Sequence, residues 1–401
     1  MSYRPLFAAS LARSGGTMVC GMLSAHPRMM VASDPYLELF RSLRNALVNT
    51  AGATAGTDWS PTDPLDDYYY DDRRIARLDA VLNGSLDTPF DPAEWEAFLV
   101  RLTQRAALAC AELVPGLPGI RARTYRGVFD RAIDLIAGAR GAGDREWVGM
   151  KEVWTAEFLP LLLRSYADAR AVIVLRDPRA MICSMLGVAR THPDQLAHVL
   201  SYARHWRKAV AVALALAQDP ALAGRCYLLM YEKLMSHSRR EAESLCRFLD
   251  VPFDPVMLEP SGYVNFATGA VWERNSAFGE QRPGMTPGGG ERWQTVLDPR
   301  AVALIELVCG PDMRALGYTT AANRDADPLA LEYLVATNDA YANWRTDFRD
   351  PERDYHHEIS RRALLAEPPA SPDPAAIRRS FLFPGVYADL TAAYRTGEVR
   401  A

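Results

Sequence analysis

Short apolar runs ending in polar turns dominate the first part of the chain. Residues 6–27, LFAASLARSGGTMVCGMLSAHP, predict an apolar strand, a turn rich in glycine and small hydroxyls, and an amphipathic helix. Such a turn brings backbone N–H groups, hydroxyls and an arginine to one point. The helix that follows aims the positive end of its dipole at the same place, so the pattern predicts an oxyanion site. A second junction of this kind is VIVLRDPRAMICSML at 172–186. The unbroken run 171–175 suits a strand buried on both faces of a parallel sheet, and charge begins at Arg176. Pro178 favours a helix start, and Ser184, eight residues after Arg176, falls about two turns into that helix. An arginine and a serine converging at a strand end make a second phosphate site. Strands alternating with helices in this way predict an α/β fold of three layers around a central parallel sheet.

Composition narrows the class only modestly. With 401 residues, 49% hydrophobic and 23% charged, the chain suffices for one large domain or two moderate ones. A net charge of −4 and a pI near 6.0 give no reason to expect nucleic acid or an anionic membrane as partner. The chain enters its first strand without a basic n-region, an apolar h-region or a cleavage site, so a cytoplasmic location is expected. The longest apolar stretch, AVAVALALA from Ala209, is too short to span a bilayer and reads as a buried helix. Cys20, Cys110, Cys183, Cys226, Cys246 and Cys309 are widely spaced, with no C-x-x-C pairing or companion histidine cluster. They read as reduced core cysteines, and no metal site is expected.

On these motifs the chain resembles the sulfotransferases that use 3′-phosphoadenosine 5′-phosphosulfate (PAPS). In that family an R/K-S-G loop near the N-terminus, completed by small hydroxyl or glycine residues, binds the 5′-phosphosulfate. Arg13-Ser14-Gly15-Gly16-Thr17, followed by Met18, matches it. The family's arginine with a serine eight residues later, which binds the 3′-phosphate, is matched by Arg176 and Ser184. Tyr231-Glu232-Lys233-Leu234 followed by LCRFLDVPFDP is similar to the family's Y-E-D-L segment and its sequel. Asn275-Ser276 and Glu291-Arg292-Trp293 are similar to the region that closes over the cofactor. The resemblance covers roughly residues 4–38 and 148–318. RSGGTM followed by LSAHP, with no K-T-H motif in mid-chain, lies nearer the tyrosylprotein and carbohydrate branch than the phenol branch.

The resemblance implies a P-loop-like fold and metal-free, in-line transfer of a sulfuryl group from PAPS to a hydroxyl or amine, leaving 3′,5′-adenosine bisphosphate (PAP). It implies cofactor contacts from Arg13, Ser14, Gly15, Gly16, Thr17, Met18, Arg176, Ser184, Tyr231, Ser276 and Arg292. Tyr231 either touches adenine or packs beneath it. Lys151, in Gly149-Met150-Lys151-Glu152, occupies the place of the cation set against the transferring group, where it acts with Arg13. Asp34, 21 residues after Arg13, stands where the tyrosylprotein branch carries its glutamate base; Glu38, a helical turn on, is the other candidate. His26 reads as structural. His192, His198 and His205 fall on one predicted helix, on a partly buried face or at a site. The glycine-rich 283–293 reads as a gate or as a flexible connector.

The sulfotransferase domain is expected over 1–320, with an insertion at about 35–146 and a helical C-terminal extension over 321–401. In a parallel α/β domain the loops leaving strand carboxyl ends line the ligand crevice, so the insertion is expected to form the acceptor pocket or its lid. It carries helical-looking stretches at 91–113 and 125–138. Its DPLDDYYYDD at 63–72 reads as a solvated loop or, alternatively, a stacking surface for an aromatic or sugar acceptor. The tail carries aromatics at helical spacing with LAEPPASPDP as a break, and is expected to pack on the core or on a partner subunit. A small molecule, sugar or lipid is the expected acceptor, and a homodimer is left open. Two other classes are weighed. A P-loop kinase would need a G-x-x-x-x-G-K-S/T loop, and no lysine follows Gly15-Gly16 in the turn. A non-catalytic scaffold would have kept both cofactor motifs without using them.

Overall fold

The computed structural model describes residues 3–53, 63–139, 145–191, 198–266, 268–271, 290–321, 326–338 and 350–396. Five strands form one parallel sheet: β1 (Arg4–Ser10), β2 (Met29–Ser33), β3 (Trp147–Val153), β4 (Arg170–Leu175) and β5 (Cys226–Met230), in the order β2-β3-β1-β4-β5. The run 171–175 is a doubly buried strand, as its unbroken apolar character predicts: Ala171, Val172, Ile173, Val174 and Leu175 have no exposed surface.

Side-chain alternation along the strands divides the core in two. Leu6, Ala8, Val172 and Val174 face α1 (Gly16–Ala25) and, later in the chain, α9 (Tyr231–Ser236) and α10 (Ser238–Leu249). Phe7, Ala9, Ala171, Ile173 and Leu175 face a larger layer. That layer comprises α2 (Leu37–Thr50), α4 (Trp95–Ala109), α5 (Tyr125–Gly138), α6 (Leu159–Ser165), α7 (Pro178–Thr191), α8 (Val199–Gln218) and α12 (Pro299–Ala315). The result is the three-layer α/β architecture expected from the strand and helix pattern. The predicted helix at 125–138 is α5, started by Thr124, whose hydroxyl accepts from the Gly127 amide. The stretch 91–113 is shorter as an α-helix than expected, with 3₁₀ turns at Pro92–Glu94 and Ala111–Gly119 flanking α4. Pro92, Pro115 and Pro118 cannot donate the backbone bonds a continuous helix would require.

The tyrosine run corrects an expectation. Tyr68 and Tyr69 are buried, so 63–72 is neither a solvated loop nor an open stacking surface. They lead into α3 (Asp72–Leu82) and pack with α8 and the tail helices α14 (Pro351–Ala366), α15 (Pro374–Phe381) and α16 (Pro384–Thr396). The break at LAEPPASPDP falls between α14 and α15; the short α11 (Trp293–Val296) precedes α12, and α13 (Ala326–Ala336) packs against α12 and α14.

A buried ionic seam fastens this joint. Arg204 and Arg207 of α8 both reach Glu358 of α14, at 2.9 and 2.6 Å, and Arg204 also pairs with Asp354 at 3.1 Å. Arg361 pairs with Asp312 of α12 at 2.8 Å. Lys208 pairs with Glu157 at 2.9 Å and donates to the carbonyls of Asp66 and Trp154. The guanidinium of Arg207 lies 3.8 Å over the ring of Tyr69, and the Tyr70 hydroxyl donates to Glu358 at 2.8 Å. Burial opposes the charge of Glu358, but Arg207 and Arg204 outweigh it and hold its carboxyl below the usual carboxylate range. No helix among the described residues is long and apolar enough to cross a membrane.

Candidate functional site

The strand register brings the chain's chemistry to one edge. Ser10 lies level with Val153 and Val174, Ser33 with Lys151, and Leu175 with Met230. The residues just beyond each strand therefore line the sheet's carboxyl edge: Arg13 after β1, Asp34 after β2, Trp154 after β3, Arg176 after β4 and Tyr231 after β5. The connection from β1 runs toward β2 and that from β4 toward β5, so β1 and β4 flank the crevice where ligands of such sheets bind. Arg13, Asp34 and Trp154 all take left-handed backbone angles, with φ of 67, 59 and 68°. Backbone strain in non-glycine residues of this kind collects where a structure over-determines a site.

The first motif forms the expected strand-turn-helix. Ser14 closes the turn, its hydroxyl donating to the Leu11 carbonyl at 2.7 Å and accepting from the Leu11 amide at 3.2 Å. Its side chain therefore organises the loop. Gly15, at φ 90°, precedes α1, and a Cβ there would lie 2.4 Å from the ring of Tyr231. Tyr231 thus packs against the loop. Gly15 at the N-cap has no side chain with which to cap α1, so the helix's first amides, from Gly16, Thr17 and Met18, point outward from the helix end. Thr17 is exposed there, while the Met18 side chain is core.

The second motif meets the first. Arg13 Nε donates to Ser184 Oγ at 3.0 Å, and Arg176 Nη1 donates to the Arg13 carbonyl at 3.1 Å. Arg176 stands 4.8 Å over the Tyr231 ring, and its own carbonyl accepts from Trp206 Nε1 at 2.8 Å. Burial lowers the pKa of Arg13, and the like charge of Arg176 lowers it further. Two guanidinium groups brought together at an uncapped helix N-terminus create a strongly anion-seeking spot. Glu232 braces the surroundings, accepting the Asp177 amide at 2.9 Å and the Tyr318 hydroxyl at 2.8 Å.

Lys151 lies against the same helix end: a Cβ on Gly16 would come within 3.2 Å of its Cε. Its ammonium is buried and ion-paired with Asp34 Oδ2. Burial pulls the lysine pKa down, yet the carboxylate of Asp34 outweighs this and holds it above its ordinary value. The Asp34 amide donates to the Lys151 carbonyl at 2.7 Å, and Ser33 Oγ donates to Oδ2 at 3.1 Å. Oδ1 is buried with no hydrogen-bond partner among the described residues. Glu38 is instead engaged by Arg41 at 2.6 Å and Arg101 at 4.0 Å.

Other candidates are placed differently. His26 is structural, its ring bonded to the Pro252 carbonyl and the Arg28 amide. His192 lies outside the described residues; His198 is the residue before α8 and His205 lies within it. Burial lowers the pKa of His198 to about 4, and His205 packs 5.0 Å from the Trp154 ring. Arg292 precedes α11, whose Trp293 lies under the Arg179 guanidinium at 4.1 Å. Ser276 and most of 283–293 lie outside the described residues.

Sequence reasoning missed Glu152. Its carboxyl is fully buried on the sheet face opposite Lys151, and Oε1 accepts the Tyr36 amide. Burial, and then the nearby charge of Asp34, push its pKa up to about 8. The available signal was the pair Lys151-Glu152 inside an otherwise apolar strand, since alternation sends two adjacent charges to opposite faces.

Comparison with known proteins gives a match to the family model described as "Sulfotransferase family" over residues 5–255. A putative protein-tyrosine sulfotransferase of Caenorhabditis elegans is 29% identical over 115 residues, 27% of this chain and 41% of the relative. Carbohydrate sulfotransferase 3 of Mus musculus is 23% identical over 207 residues, 47% of this chain and 42% of the relative. The chain thus spans about two fifths of the length of the curated relatives it matches. Among solved structures, the sulfotransferase domain from the Synechococcus PCC 7002 olefin synthase aligns at 18% identity. It covers 82% of this chain and 94% of its own, with a TM-score of 0.43, a likeness too low to bear on function.

Proposed function

This chain belongs to the sulfotransferase family, and we propose that it transfers a sulfuryl group from PAPS to a hydroxyl or amine of a small-molecule, sugar or lipid acceptor, without a metal. The observation that carries this reading is the meeting of Arg13, Arg176 and Ser184 with the uncapped end of α1, beside the Lys151–Asp34 pair. The residues fit such a donor: the small Gly15 and Gly16 keep the loop close to Tyr231 and Lys151, and the paired arginines call for an anion between them.

PAPS, when bound, supplies the electrophilic sulfur and a phosphate leaving group. Arg176 and Ser184 would hold the 3′-phosphate; Arg13 and the amides of Gly16 and Thr17 would hold the 5′ side. Asp34 Oδ1 would take the proton of an acceptor hydroxyl. Lys151, kept ionised by Asp34, would set its positive charge against the negative charge of the departing phosphate. By analogy with phosphoryl transfer, positioning and electrostatics supply most of the rate.

The test is calorimetric titration with PAP, ATP and AMP in the absence of metal. Micromolar or tighter binding of PAP, with ATP and AMP at least tenfold weaker, is the expected result. Preference for ATP over PAP, there or in a parallel titration with Mg²⁺, would overturn the reading.

A further inference from the structure

We propose that Glu152 is a positioning residue for sulfuryl transfer: from the far face of the sheet, its buried carboxyl holds the turn that presents Asp34. The inference rests on the sulfuryl-transfer reading of the site. Asp34 is held at both ends of a short, strained turn. Its own amide donates to the Lys151 carbonyl, Pro35 offers no N–H, and the Tyr36 amide donates to Glu152 Oε1. Consecutive residues of β3 thus grip the turn, Lys151 through its backbone and ammonium and Glu152 through its carboxyl. With Asp34 at φ 59°, removing one grip releases a conformation that a non-glycine residue does not favour.

Two further features separate Glu152 from an ordinary core contact. Its second oxygen, Oε2, and the free oxygen of Asp34, Oδ1, are both buried without a hydrogen-bond partner among the described residues. The titratable and charged groups close enough to act on Glu152 come from several elements: Cys20 on α1, Asp34 from the end of β2, Lys151 beside it on β3, the Tyr36 phenol before α2, Arg105 on α4 and the Cys110 thiol after it. Burial and the charge of Asp34 keep the Glu152 carboxyl protonated at neutral pH, so Asp34 has no second carboxylate charge beside it. As pH rises through about 8, Glu152 ionises and two buried carboxylates meet across one turn.

The variants are Glu152→Gln, which keeps the acceptor oxygen but cannot ionise, and Glu152→Leu, which removes the acceptor. Hydrogen exchange of peptides covering 33–38 reads the turn directly, whatever the activity. Wild type and E152Q are expected to protect it equally, with protection falling at least tenfold in E152L. Sulfate release from PAPS, with water as acceptor, is expected to fall at least tenfold in E152L, while PAP affinity stays within threefold. E152Q should stay within threefold of wild type at pH 7 and lack the alkaline decline that wild type shows above about pH 8. Full protection of 33–38 in E152L, or an unchanged pH profile in E152Q, overturns the inference. Absence of PAP binding by wild type would instead defeat the functional reading, with the exchange data still deciding whether Glu152 holds the turn.

Discussion

Arginines gather in two places in this protein, and they are treated in opposite ways. Along the seam between α8, α12 and α14, each cation lies against a carboxylate: Arg204 and Arg207 on Glu358, Arg361 on Asp312, Lys208 on Glu157. At the sheet's carboxyl edge, Arg13 and Arg176 converge on one serine and one carbonyl, and the charge of one lowers the pKa of the other. Matched buried charge fixes one packing arrangement and makes loss of either partner costly. Concentrated like charge gives up stability in the free protein and gains it back when an anion arrives. Lys151–Asp34 lies between the extremes, a buried pair with one carboxylate oxygen left over.

The contrast breaks most visibly at Glu358. Glu358→Ala takes the carboxylate from Arg207 and leaves Arg204 with Asp354 alone, and a loss of about 3–5 kcal/mol is expected from breaking such a buried pair. Urea denaturation should show it, with PAP affinity of the folded protein preserved. Because the Glu358 pKa is lowered by folding, its stabilising contribution is complete above the usual carboxylate range. That contribution is lost as pH falls through the depressed value, so wild-type denaturation midpoints should drop in acid more steeply than those of Glu358→Gln.

Arg176→Ala should do the reverse. Loss of one or more charge-assisted bonds of about 1.5–3 kcal/mol each predicts PAP binding weaker by roughly ten- to a hundredfold or more, with the urea midpoint nearly unmoved. Unchanged affinity would mean that this arginine serves the fold as those of the seam do. Lys151→Ala sharpens the middle case. Turnover should fall about ten- to a hundredfold while PAP affinity stays within a few-fold, a split that single-turnover kinetics and calorimetry together would detect.

Much of the site was legible along the chain because its motifs are local. A strand, a glycine turn and a helix start lie within residues 4–25, so Arg13 to Thr17 could be placed at an anion site from their spacing alone. Arg176 and Ser184 were legible for the same reason, from a strand end and two turns of helix. Glu152 was not, because its role depends on which residue the far face of β3 meets, and Tyr36 is more than a hundred positions away. The tyrosine run was misjudged on similar grounds. Asp-Asp-Tyr-Tyr-Tyr-Asp-Asp is polar enough to suit solvent, and the cations of α8 over its rings, with Arg74 and Arg77 of α3 on its carboxylates, make its burial favourable.

What the sequence by itself determined is the set of local periodicities: the strands that open residues 6–27 and fill 171–175, the helix at 125–138, and the two anion-seeking turns. Tertiary structure alone decided the parallel register that levels the strand ends, and so brings Asp34 to Lys151 and Arg13 to Arg176. It also decided the docking of the last three helices on α8. The physical reason is range. Hydrogen-bonding geometry and apolar periodicity act within a few residues of chain, whereas the pairing of a buried charge depends on whatever distant segment the fold brings beside it.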